Sequence, residues 1–421
     1  MREPTQHADA LDVPSLEPIS PSERIHVLDL LRGFTMFGVL WSNLNDWYGY
    51  VAPVTSLDHG LAWMQLYMIE GRFYTLLALL FGIGFGIQLI RAEERGVEKS
   101  TVYMRRFTGL LVLGAVHGFL IASVDILMFY AFAGFALVLF RTISTRGLII
   151  AVLLCRFAIP EVIKRVRIIT DWSFSPPAVT EPTREWILAH GSWLQIEAIR
   201  VATIIDKWNP FTNYLFFGIL TLFLLGLWVS KSGYLKSVVE NPRTTWRLLF
   251  GALIVMVIGL VWEANYIDVR NMVPWLTDLR PNNFEASDFR FWIPTQWIWS
   301  SLYLSTEAMA IVYASVLILL SQYSSKKRLF WPLAATGRMA LTTYITQSIV
   351  VTILFFGYGF GWYDSVGLTG KFAITLILFS CQMAASVWWL NRYRFGPLEW
   401  LWRAMTYGYL PKLRLEEKPV S

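Results

Sequence analysis

The sequence predicts an all-α, polytopic membrane protein with about ten transmembrane helices. Its mean hydropathy is +0.47, and 55% of its 421 residues are hydrophobic against 16% charged. A soluble protein of this size carries more surface charge. Apolar runs of spanning length, about 20 residues each, recur along the chain. Twenty Trp and eighteen Tyr fit aromatic belts at the two membrane interfaces.

The chain divides into two tails and one membrane domain. Residues 1–23 are polar and proline-rich and lack the apolar core of a signal peptide, so we expect a disordered cytoplasmic tail. A single transmembrane helical domain is expected over 24–408, with a cytoplasmic tail at 409–421. The ten predicted helices lie at 27–46, 71–91, 107–122, 125–141, 147–163, 209–230, 245–264, 293–320, 333–356 and 368–390.

Basic residues set the expected orientation. With ten crossings, the Lys and Arg clusters between helices fall on one face, which the positive-inside tendency assigns to the cytoplasm. We therefore expect a multi-pass protein of a bacterial inner (plasma) membrane with both termini cytoplasmic. Two longer segments, about 164–208 and 265–292, lie on the opposite, extracytoplasmic face. Within the first, residues 186–206 read either as an amphipathic helix on the outer surface or as a structural cap.

Composition and motifs exclude several function classes. The net charge of +6 comes from short clusters between apolar runs, so nucleic acid is not an expected partner, whereas the lipid bilayer is. Cys155 and Cys381 both lie in apolar runs and support neither a disulfide nor a metal site. Nucleotide-hydrolysis, zinc-protease and serine-hydrolase motifs are absent from the sequence. The glycines of 82–86 lie inside a predicted spanning helix, where helix packing explains them better than dinucleotide binding.

Ionisable residues inside apolar runs mark candidate sites, because a charge in lipid is costly unless it faces a polar interior. Asp29 and Arg32 open the first helix, three residues apart on one face, and Asp46 ends it. Glu307 lies in the middle of the eighth helix and is expected to face a wet cavity or to be protonated. Further polar candidates are Arg72 at the start of the second helix and a stripe along the ninth formed by Arg338, Tyr344 and Gln347.

Six sequence elements carry a family resemblance. They are the stretches 28–34, 81–85, 117–118, 125–127, 337–347 and 396–403. In this order they resemble the YeiB-like membrane proteins, the family called domain of unknown function 418. The resemblance covers about residues 24 to 408.

A more remote resemblance implies chemistry. The Asp29-x-x-Arg32-Gly33 opening is similar to that of transmembrane acyltransferases, both the acyltransferase-three type and the heparan-glucosaminide N-acetyltransferase type. The acyltransferase-three pattern places an essential histidine where this chain has Asn43, and an amide cannot act as a base. The second type also carries an Asn there. The base must then lie elsewhere, and the candidates are His117 and, less persuasively, His59 in a polar connector.

The resemblance implies transfer of a small acyl group from a cytoplasmic thioester of the coenzyme A type to an extracytoplasmic hydroxyl or amine, on a small molecule or a glycan. His117 would be the base, and Asp125 would be the carboxylate that orients it. Alternatively, His117 only forms a hydrogen bond between helices. Asn43 would hold the acyl carbonyl. Arg32, with Asp29 and Arg338, would bind the donor's phosphate or pantetheine, or else Arg32 pairs with Asp29.

Other readings of the same residues remain open. No permanently bound cofactor is expected. The polar residues Asp46, Arg72, Glu307, Tyr344 and Gln347 are candidates for substrate binding. The alternative function is transport of a small metabolite along these side chains, although no internal repeat supports it. A structural role in an envelope complex is the third reading.

Overall fold

Helices make up the regular structure of the protein. A computed structural model describes residues 26–94, 96, 100–122, 125–160, 162–163, 183–207, 214–272, 295–324 and 327–415. These residues contain no strand beyond an isolated bridge between Tyr393 and Arg414. The predicted tail at 1–23 lies outside the described residues, as do 416–421 and large parts of the predicted segments 164–208 and 265–292.

Sixteen α-helices are named here from the described residues. In chain order they are α1 His26–Trp47, α2 Ser56–Met64, α3 Arg72–Glu94, α4 Ser100–Leu120, α5 Leu127–Leu139, α6 Thr145–Leu153, α7 Thr183–His190, α8 Trp193–Lys207, α9 Tyr214–Lys231, α10 Tyr234–Glu240, α11 Pro242–Met272, α12 Thr295–Tyr323, α13 Trp331–Arg338, α14 Ala340–Phe355, α15 Leu368–Leu390 and α16 Pro397–Tyr407. Single π-helical turns extend α2 over Gln65–Ile69 and α6 over Leu154–Ala158.

Four helical stretches of the described residues are long and apolar enough to cross a membrane: Ser56–Glu94, Pro242–Val261, Leu304–Tyr323 and Leu368–Leu390. The number rises to six if two bent pairs, α9 with α10 and α13 with α14, each count as one span. Helix α1 has 22 residues but carries three charged side chains, and α5 has only 13 residues. Length and composition therefore support a membrane protein with four to six such spans.

One predicted helix is broken. The single helix expected over 333–356 is instead α13 and α14, which meet at 74° around Met339. A second bend of 74° lies between α9 and α10, beyond the end of the helix predicted over 209–230, and there Gly233 adopts the left-handed backbone conformation with φ of 74°. Hydropathy predicts one continuous helix over 333–356, because the bend depends on a contact from α16, a helix distant in sequence.

The segment 186–206 is also divided. Helix α7 ends at His190, and α8 starts at Trp193. Between them, the N–H of Gly191 donates to the carbonyl of Ile187, while the N–H of Gly357 donates to Leu188 over 2.9 Å. The first half is therefore tied to the end of α14 rather than forming one continuous amphipathic helix.

Helix α1 lies at the centre of the packing. It contacts α3, α12, α13, α14 and α15, and its buried residues include Val39, Trp41 and Leu44. Glycines permit the closest crossing, between α1 and α13. A Cβ on Gly337 would stand 2.5 Å from the backbone nitrogen of Gly33, so neither position accepts a larger residue without separating the helices.

The glycine pattern of 82–86 serves packing, as predicted. A Cβ on Gly82 would lie 2.7 Å from Cα of Phe223, and one on Gly226 would lie 2.6 Å from the nitrogen of Ile83. Helices α3 and α9 therefore meet backbone to backbone at these residues. Gly84, on another face of α3, leaves room for the guanidinium of Arg32, whose Nη2 would be 3.1 Å from a Cβ there.

The predicted tail at 409–421 begins as a docked segment. The N–H of Arg394 donates to the carbonyl of Leu413 over 2.8 Å, and the N–H of Leu415 donates to Arg392 over 3.2 Å. The indole of Trp400 donates to the carbonyl of Pro411 over 2.7 Å. The ordered domain therefore extends past residue 408, because these backbone groups find partners in the turn after α15.

Candidate functional site

Two cavities lie along α1. The first, which we call the Arg32 cavity, has a volume of about 230 Å³ and is lined from α1, α3, α4, α5, α13, α14 and α16. The second, the Asn43 cavity, has a volume of about 430 Å³ and is lined from α1, α7, α8 and α14 and the loops after α1 and α14. Arg32 and Asn43 are eleven residues apart on α1, which corresponds to about 16 Å of helix.

The Arg32 cavity is strongly cationic. Two carboxylates, Asp29 and Glu399, line it together with five arginines: Arg32, Arg91, Arg106, Arg338 and Arg403. Guanidinium groups match phosphate oxygens in a bidentate way and stay charged at all physiological pH values. The residues present therefore suit a phosphate-bearing ligand.

Arg32 takes part in both contacts that the sequence suggested. Its Nη1 donates to Oδ1 of Asp29 over 3.2 Å, and its side chain, 28% exposed, also lines the cavity. The pair lies at the α1–α13 crossing itself, where Gly337 approaches the carbonyl of Asp29 and the nitrogen of Gly33. Because Arg338 follows Gly337 directly, this crossing places Arg32 and Arg338 on the same cavity.

Helix α16 forms the opposite wall. The carboxylate of Glu399 accepts hydrogen bonds from the N–H groups of Leu341 (2.7 Å) and Thr342 (3.1 Å) and from Oγ1 of Thr342 (2.6 Å). It thus caps the N-terminus of α14, whose first N–H groups lack partners within the helix. Burial nevertheless raises the pKa of Glu399 above its usual range. This cap supports the sharp bend between α13 and α14.

Aromatic rings hold two of the arginines. The guanidinium of Arg106 lies 4.2 Å from the ring of Trp402, and the indole of Trp402 donates to the carbonyl of Arg106 over 2.7 Å. Arg403 stacks on Phe395 at 4.6 Å. Such cation–π contacts orient a guanidinium while leaving its edge available for a ligand.

The Asn43 cavity is polar and of mixed charge. Oδ1 of Asn43 accepts a short hydrogen bond from the hydroxyl of Tyr74, which orients the amide. Asp46 accepts from Oγ of Ser42 over 2.8 Å and from Nε2 of Gln65 over 3.2 Å. Gln347 lines the same cavity from α14. Two predicted residues of α1 and one of α14 therefore share one cavity.

The partition between the two cavities is about one helical turn thick. On α1, Met36 lines the Arg32 cavity and Leu40 lines the Asn43 cavity, a rise of about 6 Å. On α14, Tyr344 lines the first and Gln347 the second, a rise of about 4.5 Å. The two linings are therefore separated by about one turn of α1 and of α14.

A buried histidine and carboxylate, His117 and Asp125, line neither cavity, although the carbonyl of His117 accepts from the N–H of Ala122 in the wall of the Asn43 cavity. Nδ1 of His117 is 2.8 Å from Oδ1 of Asp125, and both side chains are almost fully buried. Oδ2 of Asp125 accepts from the N–H of Met128 over 2.7 Å, which fixes the carboxylate at the start of α5. The His117 ring packs against Tyr344, with centroids 4.9 Å apart. A carboxylate only accepts, so Nδ1 carries a proton, and in the neutral form of the ring Nε2 would be the basic nitrogen.

The remaining ring nitrogen has no partner. Among the described residues, no hydrogen-bond partner reaches Nε2 of His117, although the ring is fully buried. Two glycines of α4 make room for the carboxylate: a Cβ on Gly114 would stand 2.9 Å from Oδ2 of Asp125, and one on Gly118 would stand 3.3 Å from its Cβ. An unsatisfied buried nitrogen is costly, which is typical of a functional group.

Besides His117 and Asp125, two more predicted residues line neither cavity. Arg72 is buried, and its Nη1 donates to the carbonyls of Leu66 (2.9 Å) and Glu70 (2.6 Å) at the junction of α2 and α3. Glu307 pairs with Arg156 over 3.4 Å, so its charge is compensated by a cation from α6. The sequence predicted that Glu307 would face a wet cavity or be protonated. It could not indicate the ion pair, because Arg156 is distant in sequence. His59 is exposed.

Sequence reasoning missed much of the site. Arg106 and Arg403 were counted only as basic residues that set the orientation, although the structure turns both into the Arg32 cavity. Arg200 and Asn45 line the Asn43 cavity without a sequence signal. One signal could have pointed to Arg403. It lies in the same sequence element, 396–403, as Glu399, whose carboxylate caps the helix that begins beside Arg338.

Comparison with known proteins places these features in a family. The family described as "Protein of unknown function (DUF418)" matches residues 229–409. The Bacillus subtilis protein named "Uncharacterized protein YxaH" is 30% identical over 421 aligned residues, covering 93% of this chain and 96% of the relative. The Escherichia coli protein named "Uncharacterized protein YeiB" is 27% identical, covering 91% and 96%. The chain therefore belongs to the YeiB-like DUF418 family.

Proposed function

We propose that this protein is a membrane acyltransferase that moves a small acyl group from a thioester of the coenzyme A type to a hydroxyl or amine acceptor. The observation that carries the proposal is the buried His117–Asp125 pair, whose Nε2 has no hydrogen-bond partner among the described residues. The pair adjoins a wall residue of each cavity, Tyr344 of the cationic one and Ala122 of the polar one. A base between a donor cavity and an acceptor cavity is the arrangement that acyl transfer needs.

The donor occupies the Arg32 cavity. Its five arginines bind the phosphates of the thioester donor, and the acyl end points toward Tyr344 and the partition. The acceptor occupies the Asn43 cavity, where the amide of Asn43 donates to the acyl carbonyl. The Tyr74 hydroxyl bonded to Oδ1 of Asn43 turns the NH₂ of that amide outward.

The transfer step balances with these groups alone. Nε2 of His117 takes the proton of the acceptor hydroxyl or amine as its oxygen or nitrogen attacks the thioester carbonyl carbon. The carbon–sulfur bond then breaks, and the departing thiolate takes the proton from His117, leaving an ester or amide and a free thiol. Asp125 keeps the ring in the required tautomer and stabilises the transient imidazolium.

The proposal includes a membrane topology. We assign ten crossings of a bacterial inner membrane, both termini in the cytoplasm, and the Arg32 cavity to the cytoplasmic side. This agrees with the basic residues that surround that cavity. Reporter fusions at Lys99, Lys236 and Lys326 are all expected to read cytoplasmic, and one extracytoplasmic reading would overturn the count of crossings.

The direct test uses the detergent-purified full chain. Acetyl-CoA is expected to raise the melting temperature of wild type more than free CoA does, and Arg32→Ala should lose this shift. His117→Gln should keep the shift but lose thiol release in the presence of acceptor sugars. Arg392→Gln, an exposed arginine outside both cavities, is the matched control and should retain both. Absence of any acetyl-CoA shift in wild type would overturn the proposal.

Transport of a small metabolite is a second candidate, and the thin partition is the observation that favours it. A single rearrangement of one helical turn would connect the two cavities. Reconstituted vesicles distinguish the functions: a transporter moves labelled solute across the bilayer without forming product, whereas the acyltransferase forms product and leaves the acceptor on its own side.

A further inference from the structure

The long apolar helix α15 exposes one face that ends in an arginine. Exposed positions recur at helical spacing along this face, at Leu376, Ser380, Ala384 and Trp388. Since α15 is long and apolar enough to cross a membrane, we assign this face to lipid contact. The guanidinium of Arg392 stacks on Trp388, 4.7 Å from the centre of its ring. Trp and Arg side chains of this kind lie where the hydrocarbon meets the lipid headgroups, so the end of α15 marks that level.

The segment after α16 returns to the same level. The N–H of Leu415 donates to the carbonyl of Arg392 over 3.2 Å, and the N–H of Arg394 donates to the carbonyl of Leu413 over 2.8 Å. Helix α16 itself has 11 residues, too few to cross a membrane, and it packs against α4 and α14. Residues 409–415 are therefore held beside the lipid-facing end of α15.

This segment presents apolar and basic side chains together. Six exposed residues form what we call the C-terminal surface: Arg392, Tyr409, Leu410, Lys412, Arg414 and Leu415. The side chain of Leu410 is 69% exposed, although it lies outside the helices that are long enough to span. Exposed apolar side chains interleaved with bases are typical of a segment that lies on an anionic membrane surface.

The charge of this region is positive. Residues 391–418 contain six bases and three acids. Of the acids, Glu399 is engaged in capping α14, and Glu416 and Glu417 lie outside the described residues. Among the residues that the structure describes, neither Arg392 nor Arg414 pairs with a carboxylate. The C-terminal surface therefore complements anionic headgroups better than zwitterionic ones.

We infer that the C-terminal surface binds anionic phospholipid of the bilayer that surrounds the protein. Leu410 and Leu415 enter the headgroup region, and the bases beside them contact the lipid phosphates. The occupant is a lipid rather than a free phosphate ion, because the surface continues the lipid-facing side of α15 and because a free ion would leave both leucines in water. The inference does not depend on acyl transfer.

Photolabelling of the full chain in vesicles tests the inference. The protein is reconstituted in phosphatidylcholine vesicles that contain a small fraction of either photoreactive phosphatidylglycerol or photoreactive phosphatidylcholine. Both leaflets carry the probe, so the result is independent of the orientation of the protein. After irradiation, labelled residues are mapped by mass spectrometry. Residues 409–415 are expected to be labelled more by the phosphatidylglycerol probe than by the phosphatidylcholine probe.

Three variants separate charge from apolar contact. The double variant Lys412→Gln with Arg414→Gln should lower the ratio of phosphatidylglycerol to phosphatidylcholine labelling about fivefold or more. Leu410→Ser should lower labelling by both lipids, because it removes apolar contact without changing the charge. Lys236→Gln, which removes an exposed base of α10 outside the C-terminal surface, is the control and should match wild type.

Four outcomes would overturn the inference. They are equal labelling of 409–415 by the two lipids in wild type, no labelling of these residues, an unchanged ratio in the double variant, and loss of labelling when sodium phosphate is added. The last result would identify a site for the free ion instead. The melting temperature of each variant in detergent checks its folding. If the double variant melts well below wild type, the ratio measured for Arg414→Gln alone decides.

Discussion

The crossing of α1 and α13 allows one stability prediction to be worked from the structure. In Gly337→Ala, the new Cβ would stand 2.5 Å from the nitrogen of Gly33 and 2.9 Å from the carbonyl carbon of Asp29. Ordinary contact begins at 3.4 Å, so the two helices must separate by at least about 0.9 Å. Both opposing atoms are backbone and cannot rotate away. Overpacking of this kind costs about 1–3 kcal/mol, and we expect the upper end.

A matched control isolates the packing effect. A Cβ on Gly251, in α11, would have no atom of the described residues within 4 Å, so Gly251→Ala meets open space. It should be neutral or more stable by about 0.5–1 kcal/mol, because Ala favours the helix. Thermal unfolding in detergent should therefore place Gly337→Ala well below wild type and Gly251→Ala at or above it.

The same variant tests the link between packing and site. Arg32 and Arg338 each adjoin one of the crossing glycines, so separation of the helices moves both guanidiniums. Acetyl-CoA should then stabilise Gly337→Ala less than it stabilises wild type. If Gly337→Ala has the same melting temperature as wild type, the close crossing is not a feature of the folded protein. The reasoning about the Arg32 cavity would then fail as well.

Three further predictions concern single contacts. Gly114→Ala would place a Cβ 2.9 Å from Oδ2 of Asp125, and we expect acyl transfer to fall on the order of a hundredfold with a smaller change in melting temperature; full activity would contradict the role of the pair. Glu399→Ala should lower the melting temperature, because each unsatisfied N–H costs about 1–3 kcal/mol, and Glu399→Gln should lower it less. Burial raises the pKa of Glu399, so its protonated form stabilises the fold at pH values below the usual carboxyl range. This stabilisation is lost as the pH rises through the raised pKa. The difference in melting temperature between wild type and Glu399→Gln should therefore become smaller with rising pH. Arg156→Gln leaves Glu307 unpaired and should melt lower than the double variant with Glu307→Gln, and equal melting of the two would rule out the ion pair as the cause.

Local patterns in the sequence predicted the helices and several of their contacts. The apolar runs of α3, α11, α12 and α15 are long enough to be recognised without any partner. Gly82 was predicted to serve packing because it lies within such a run, and its contact with Phe223 confirms this. His117 and Asp125 are eight residues apart in one hairpin, so chain proximity alone suggested their pairing.

Contacts between distant residues were beyond the sequence. Arg32, Arg106 and Arg403 meet in one cavity although hundreds of residues separate the first from the last. The sequence marked Arg32 as a candidate, but nothing in it indicated that Arg106 and Arg403 lie beside Arg32. The bend before α14 likewise depends on Glu399, which lies 57 residues beyond Thr342. Hydropathy reports the environment of a segment and carries no information about which segment lies opposite.

The sequence by itself therefore determined the helical class, the apolar spans and the family, because these depend on local composition and on the order of short motifs. Only the tertiary structure decided that most of the polar residues sort into two cavities, while the His117–Asp125 pair is buried outside both linings. It also removed Arg72 and Glu307 from the cavities by giving each a partner. The physical reason is that the role of a buried polar group depends on its hydrogen-bond or ion-pair partner, and in a helical protein that partner usually comes from another helix.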